Sequence, residues 1–143
     1  MARPRVTRAI RQRVEAAAGG RCGYCLTPQA FTAMPLHIEH ILPLAAGGTS
    51  DESNLWVACP LCNGYKGTQT GATDPETREV APLYDPRRQD WTEHFYWSAD
   101  GSLVLGSTPT GRASVVALKL NNPHLVRARL RWVAAGWHPP RAS

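Results

Sequence analysis

Four cysteines fall as two pairs, Cys22-Gly23-Tyr24-Cys25 and Cys59-Pro60-Leu61-Cys62, with thirty-three residues between them. Two C-x-x-C knuckles are the usual way to surround one zinc ion with four thiolates. The short spacing lets both sulfurs of a knuckle face one ion at about 2.3 Å, and the second knuckle completes the tetrahedron. Such a closed site has no open position for water, so Cys22, Cys25, Cys59 and Cys62 are expected to hold the fold and do no chemistry. The competing readings are redox chemistry and disulfides. A redox motif needs one C-x-x-C, and disulfides belong to oxidising compartments. Arg11 and Arg13 interrupt any apolar run after the basic start, so no secretory signal is expected.

The 143 residues suffice for one domain with a small appendage. No stretch approaches the roughly 18 apolar residues of a membrane span, so a soluble, cytoplasmic protein with no membrane partner is expected. The net charge is +5, the pI is near 9.4, and fourteen of the sixteen cations are arginine. Excess positive charge favours a polyanion, nucleic acid first. A GC-rich genome, which favours arginine codons, would give the same composition.

Along the chain, Val6 to Ala18 reads as a helix with Val6, Ile10, Val14 and Ala17 on one face, ended by Gly19-Gly20. A β-rich patch, Leu36 to Ile41, stops at Pro43. Leu55-Trp56-Val57-Ala58 reads as a second strand that runs into the second knuckle, which opens a helix through about Lys66. Gly67 to Pro82 reads as loop. His94–Trp97 and Leu103–Leu105 flank a turn with Gly101, a hairpin signal. Helices are expected from Thr108-Pro109 to Leu120 and from Asn122-Pro123 to Ala135. Three segments follow: an N-terminal helix in 1–20, a zinc-stapled core in 21–70 and a C-terminal α+β extension in 71–143.

The stretch from His37 to Lys66 carries the chemistry. Glu39 and His40 are adjacent at a strand end, Asn54 follows fourteen residues later, and Asn63 comes directly after the second knuckle. Lys66 lies one helical turn beyond Asn63, on the same face. Phosphodiester cleavage needs a base to deprotonate water, and histidine suits that near pH 7. It also needs a cation to absorb charge on the phosphate. A carboxylate and an amide oxygen, such as Glu39 and Asn63, are hard ligands that suit magnesium or manganese. Zinc between the knuckles would bring them together, because Asn63 is bonded to Cys62.

This stretch resembles the HNH endonuclease family, in the subset with a four-cysteine zinc site. The likeness covers roughly Arg21 to Gly67 and rests on Glu39-His40, Gly47-Gly48, Asn54-Leu55 and Cys59-x-x-Cys62-Asn63-x-x-Lys66 in order. A weaker likeness to one bacterial HNH subgroup covers the tail, at His94-Phe95 and Gly111-Arg112-Ala113. The resemblance implies an α+β fold with a ββα-metal core, an N-terminal helix and a C-terminal extension of a hairpin plus helices. It implies that His40 is the general base and that Glu39 and Asn63 ligate a catalytic Mg2+ or Mn2+ beside the structural Zn2+. Asn54 would brace the loop and orient the base, and Lys66 would contact phosphate. The products would carry a 5′ phosphate and a 3′ hydroxyl. Many relatives have Asp where Glu39 stands, which bears on the metal and on turnover.

The expected activity is therefore metal-dependent hydrolysis of DNA phosphodiesters. A zinc-ribbon nucleic-acid-binding module without turnover is the alternative, and the same chemistry would serve RNA. His37 alternates with Glu39 on one strand face and is a candidate further ligand or packing residue. Arg87 and Arg88, in a loop after Asp85-Pro86, are the leading candidates for phosphate contact. Arg8, Arg11, Arg127 and Arg131 are candidates too, although a helical arginine more often lies on a solvated face. Trp91, Trp97 and Trp132 read as core, and His94, His124 and His138 as structural or exposed. Oligomeric state is not legible.

Overall fold

The computed structural model describes residues 6–140, so the first five residues of the expected 1–20 segment lie outside the described residues. The fold is α+β. The chain divides into two units. One runs to Thr70 and includes Asp85–Gln89, and the other comprises Gly71–Tyr84 and the chain from Asp90 onward. Among the described residues, no helix is long and apolar enough to cross a membrane.

The first unit is built on a two-stranded antiparallel ribbon, β1 (His37–His40) and β2 (Leu55–Ala58). Its register sets Ile38 opposite Val57 and His40 opposite Leu55, which puts these four on one face. Glu39 opposite Trp56 and His37 opposite Ala58 take the other face. Helix α1 (Arg8–Ala17) covers the first face, where Val14, Leu55 and Val57 form a fully buried core flanked by Ile10 and Ile38. Burying each such side chain contributes roughly 1.5–3 kcal/mol. Thr7 caps α1, its Oγ1 accepting from the Ile10 amide at 3.2 Å. Gly19 and Gly20 then turn the chain with positive φ, at 63° and 71°.

Helix α2 (Pro60–Lys66) packs against both strands. Cys59 is its N-cap, with Sγ accepting from the Cys62 amide at 3.4 Å. The first knuckle is tied to the ribbon by the Gly23 amide, which donates to the Val57 carbonyl at 3.0 Å. Asp85–Gln89 belongs to this unit through two arginines. Arg87 donates from Nε and Nη2 to the Leu55 carbonyl at 3.2 and 3.0 Å and lies 5.1 Å over the Trp56 ring. Arg88 donates to the Ser53 carbonyl at 2.9 Å and pairs with Asp85 at 3.0 Å.

The second unit holds two short hairpins, β3 (Gly71–Thr73) with β4 (Val80–Pro82), and β5 (Phe95–Trp97) with β6 (Val104–Gly106). The first lies inside the stretch read as loop. One turn of helix, α3 (Trp91–His94), precedes β5, so His94 ends a helix and the strand begins at Phe95. Helix α4 (Pro109–Ala117) packs on β3, β4 and β6. It stops short of the expected Leu120, and Lys119 sits at φ 47°, a left-handed conformation outside the helix. Helix α5 (Pro123–Ala134) buries Leu125 and also Arg129. Arg129 is 1% exposed, its guanidinium donating to the Ser102 and Leu120 carbonyls and to Asn121 Oδ1. Asp74 is fully buried and takes a two-pronged bond from Arg112 Nε and Nη2 at 2.9 and 3.0 Å. Trp91, Trp97 and Trp132 are half-buried, and the Trp91 ring stacks on Phe95 and Trp97.

Candidate functional site

All four cysteines are buried, and their sulfurs lie within 4.8 Å of one another. Cys25 Sγ is 3.8 Å from Cys59 Sγ, so the two knuckles meet across the ribbon. Burial pushes the Cys22 thiol up, while bonding from Cys22 pulls Cys25 well down. Four converging soft donors in a closed, dry cluster fit zinc and leave no room for a reacting ligand.

Beside this cluster, β1 and the start of α2 frame a cleft of about 370 Å³. Glu39, His40, Asn63 and Gly67 are among the residues that line it. The ribbon brings Glu39 and His40 to one end of β1, and the capped start of α2 delivers Asn63 one residue after Cys62. The fold thus brings three of the sequence-identified residues to one concavity.

Asn54 stands behind it. Its side chain accepts from the Leu42 amide at 2.8 Å and donates to the Leu42 and Thr49 carbonyls at 2.9 and 2.7 Å. These bonds close the loop that follows β1. Gly48 completes the closure, because a Cβ there would collide with the Leu42 carbonyl. From the same loop, Ser50 Oγ lies 2.9 Å from His40 Nε2 and fixes the imidazole.

Glu39 is 4% exposed, and its carboxylate has partners within the protein. Lys66 Nζ pairs with Oε1 at 2.6 Å. The Tyr24 hydroxyl lies 2.9 Å from Oε1 and 2.7 Å from Oε2. Burial raises the Glu39 carboxyl above its ordinary value, against the opposing pull of Lys66 and Tyr24. The Tyr24 phenol is pushed well up, first by burial and then by the Glu39 charge.

Lys66 is 3% exposed and also donates to the Ile41 and His40 carbonyls at 2.9 and 3.2 Å. An ammonium has three donors, and these three acceptors engage them. The lysine therefore sits beneath the cleft, where it balances Glu39 and fastens α2 to the end of β1. Arg87 spends its guanidinium on β2, whereas the Arg88 side chain remains 55% exposed. His37 is exposed on β1.

Sequence reasoning missed Tyr24 and Ser50. Tyr24 sits between two zinc-ligand candidates, a position that carries it to wherever the knuckle docks. Ser50 lies in the loop that Gly47-Gly48 opens, with no spacing signal of its own.

No curated protein and no solved structure matches the chain. The family model described as HNH endonuclease matches residues 22–69, which is the span from the first cysteine through α2. Those limits enclose the cysteine cluster, the ribbon, the loop closed by Asn54 and the cleft, so the match to the HNH endonuclease family falls on the segment that builds the candidate site.

Proposed function

We propose that this protein is a metal-dependent endonuclease that hydrolyses DNA phosphodiesters in the cleft between β1 and α2. The supporting observation is that Glu39, His40 and Asn63 line one cleft inside the segment that matches the nuclease family. A zinc ribbon that only binds has no need of that set.

The donor chemistry of the cleft fits a hard divalent ion. A carboxylate offers about four acceptor positions, and the three contacts from Tyr24 and Lys66 leave one at Glu39 Oε2. The Asn63 side chain makes no hydrogen bond among the described residues. Glu39 and Asn63 would hold Mg2+ or Mn2+, with water completing the shell. When bound, the ion supplies positive charge that offsets the phosphate and the departing 3′ oxygen.

The chain itself supplies the base. Ser50 Oγ accepts Nε2–H of His40 in the tautomer that makes Nδ1 the basic nitrogen. That imidazole takes a proton from water as the water oxygen bonds to phosphorus and the bond to the 3′ oxygen breaks. The 3′ oxygen leaves with a proton from solvent, giving a 5′ phosphate and a 3′ hydroxyl. Asn54 holds the loop that carries Ser50. Tyr24 and Lys66 fix the Glu39 carboxylate, and Lys66 offsets its charge. Arg88, whose side chain is 55% exposed, would meet backbone phosphate. One site cuts one strand per visit, and cytoplasmic DNA is the expected target.

Supercoiled plasmid incubated with Mg2+ or Mn2+ tests the reading. The parent should produce nicked circles, while His40→Ala and Asn63→Ala should lose most of that activity with zinc content unchanged. Equal nicking by all three proteins, or none under any metal, would refute it.

A further inference from the structure

A second cleft, also of about 370 Å³, opens beside β1 and is lined by Arg11, Pro35, Leu36, His37 and Ile38. Ile38 also lines the cleft that holds His40 and Asn63, so the two share a wall. Arg11 lies on the solvent side of α1, one turn after Arg8. Among the described residues, Arg11 makes no ion pair and the His37 side chain no hydrogen bond. No carboxylate lines this second cleft. The cations nearby that do have partners are accounted for elsewhere: Arg13 pairs with Glu52 at 2.8 Å, and Lys66 with Glu39.

From this juxtaposition we infer that the Arg11–His37 cleft is a phosphate-binding subsite, which grips the nucleic-acid backbone upstream or downstream of the bond held at His40. The inference deepens the nuclease reading and rests on it. His37 and His40 are three residues apart on an extended strand, so their backbone positions are separated by roughly 10 Å. One strand of duplex DNA carries a phosphate about every 3.4 Å of helix axis. The subsite therefore engages the backbone within a few phosphates of the scissile position. A guanidinium matches phosphate geometry with a two-pronged fork, and an imidazole edge adds a further donor. Contacts of this kind give affinity and register without reading sequence.

Binding of a fluorescein-labelled DNA duplex, followed by anisotropy at several salt concentrations without added divalent ion, tests the subsite. Arg11→Ala should weaken binding several-fold for every sequence and lower the log–log salt slope by about 0.9, the share of one phosphate. Arg11→Glu should weaken it further, and His37→Ala should weaken it less. Arg78→Gln, which removes an exposed arginine of the other unit that has no assigned contact with nucleic acid, should leave the slope unchanged. Among the described residues the Arg11 and His37 side chains make no hydrogen bond or ion pair, so these variants should melt like the parent. On plasmid, Arg11→Ala should raise KM and leave kcat intact. A parent that nicks DNA while Arg11→Ala keeps the full salt slope overturns the subsite and leaves the nuclease reading standing. Binding that depends on Arg11 with no nicking under any metal sinks the nuclease reading and retains the subsite. No duplex binding by the parent overturns the subsite.

Discussion

Replacing Lys66 with methionine should destabilise the first unit far more than a surface lysine could. The Lys66 and Glu39 side chains are 3% and 4% exposed and 2.6 Å apart, so solvent screens the pair little. Removing one partner of a buried pair leaves an uncompensated charge and typically costs about 3–5 kcal/mol. The Ile41 and His40 carbonyls also lose their donor, which places the expected loss at the upper end of that range. Glu39→Gln together with Lys66→Met should recover about 2 kcal/mol of it, because a neutral amide can still accept from Tyr24. Urea denaturation, with hydrogen exchange of the β1 and β2 amides as the local reading, measures both. The penalty has a pH signature. Burial already raises the Glu39 carboxyl, and without Lys66 it takes up a proton more readily still. The folded variant therefore gains stability relative to the parent as pH falls, and the gap narrows. High salt should leave the neutral-pH gap nearly unchanged. A Lys66→Met protein within about 0.5 kcal/mol of the parent would refute the buried pair and return Lys66 to the surface.

Two further outcomes are expected. Cys59→Ser, or a strong chelator, should release bound zinc and collapse the first unit, because metal binding contributes folding free energy directly. Full thermal stability of that variant, with no zinc in the parent, would contradict this. In the second unit, the Arg112 guanidinium holds the Asp74 carboxyl well below its ordinary value of 3.8. A lowered carboxyl stabilises the fold above that value and loses its contribution as pH falls through the folded range. Thermal melts should show Asp74→Asn less stable than the parent near neutrality, with the gap closing below about pH 3.8. A gap that stays constant into acid would refute the pairing.

The parts of this molecule that the sequence disclosed are those whose signal is local. Paired C-x-x-C knuckles announce a four-sulfur cluster at any loop length, and the apolar run at Leu55–Ala58 announces a strand by its neighbours alone. Glu39, His40 and Asn63 were legible because each sits at a fixed offset from a strand end or a cysteine. Lys66 shows where such reading stops. Its spacing from Asn63 gives the shared helix face, but its depth depends on Glu39 and two carbonyls some twenty-six residues earlier. A long-range ion pair leaves no periodic trace. Arg129 escaped for the same reason, since a buried arginine on α5 is satisfied by carbonyls from other elements. The β3–β4 hairpin escaped because three-residue strands, one of them ending in Pro82, are too short for alternation to register.

The most direct test of the nuclease site is chemical rescue at His40. The glycine variant His40→Gly should cleave plasmid far more slowly than the parent with Mg2+ or Mn2+, and free imidazole should restore cleavage in a concentration-dependent way. A His40→Gly protein that cuts at the parent's rate without imidazole would contradict the assignment of this imidazole as the base.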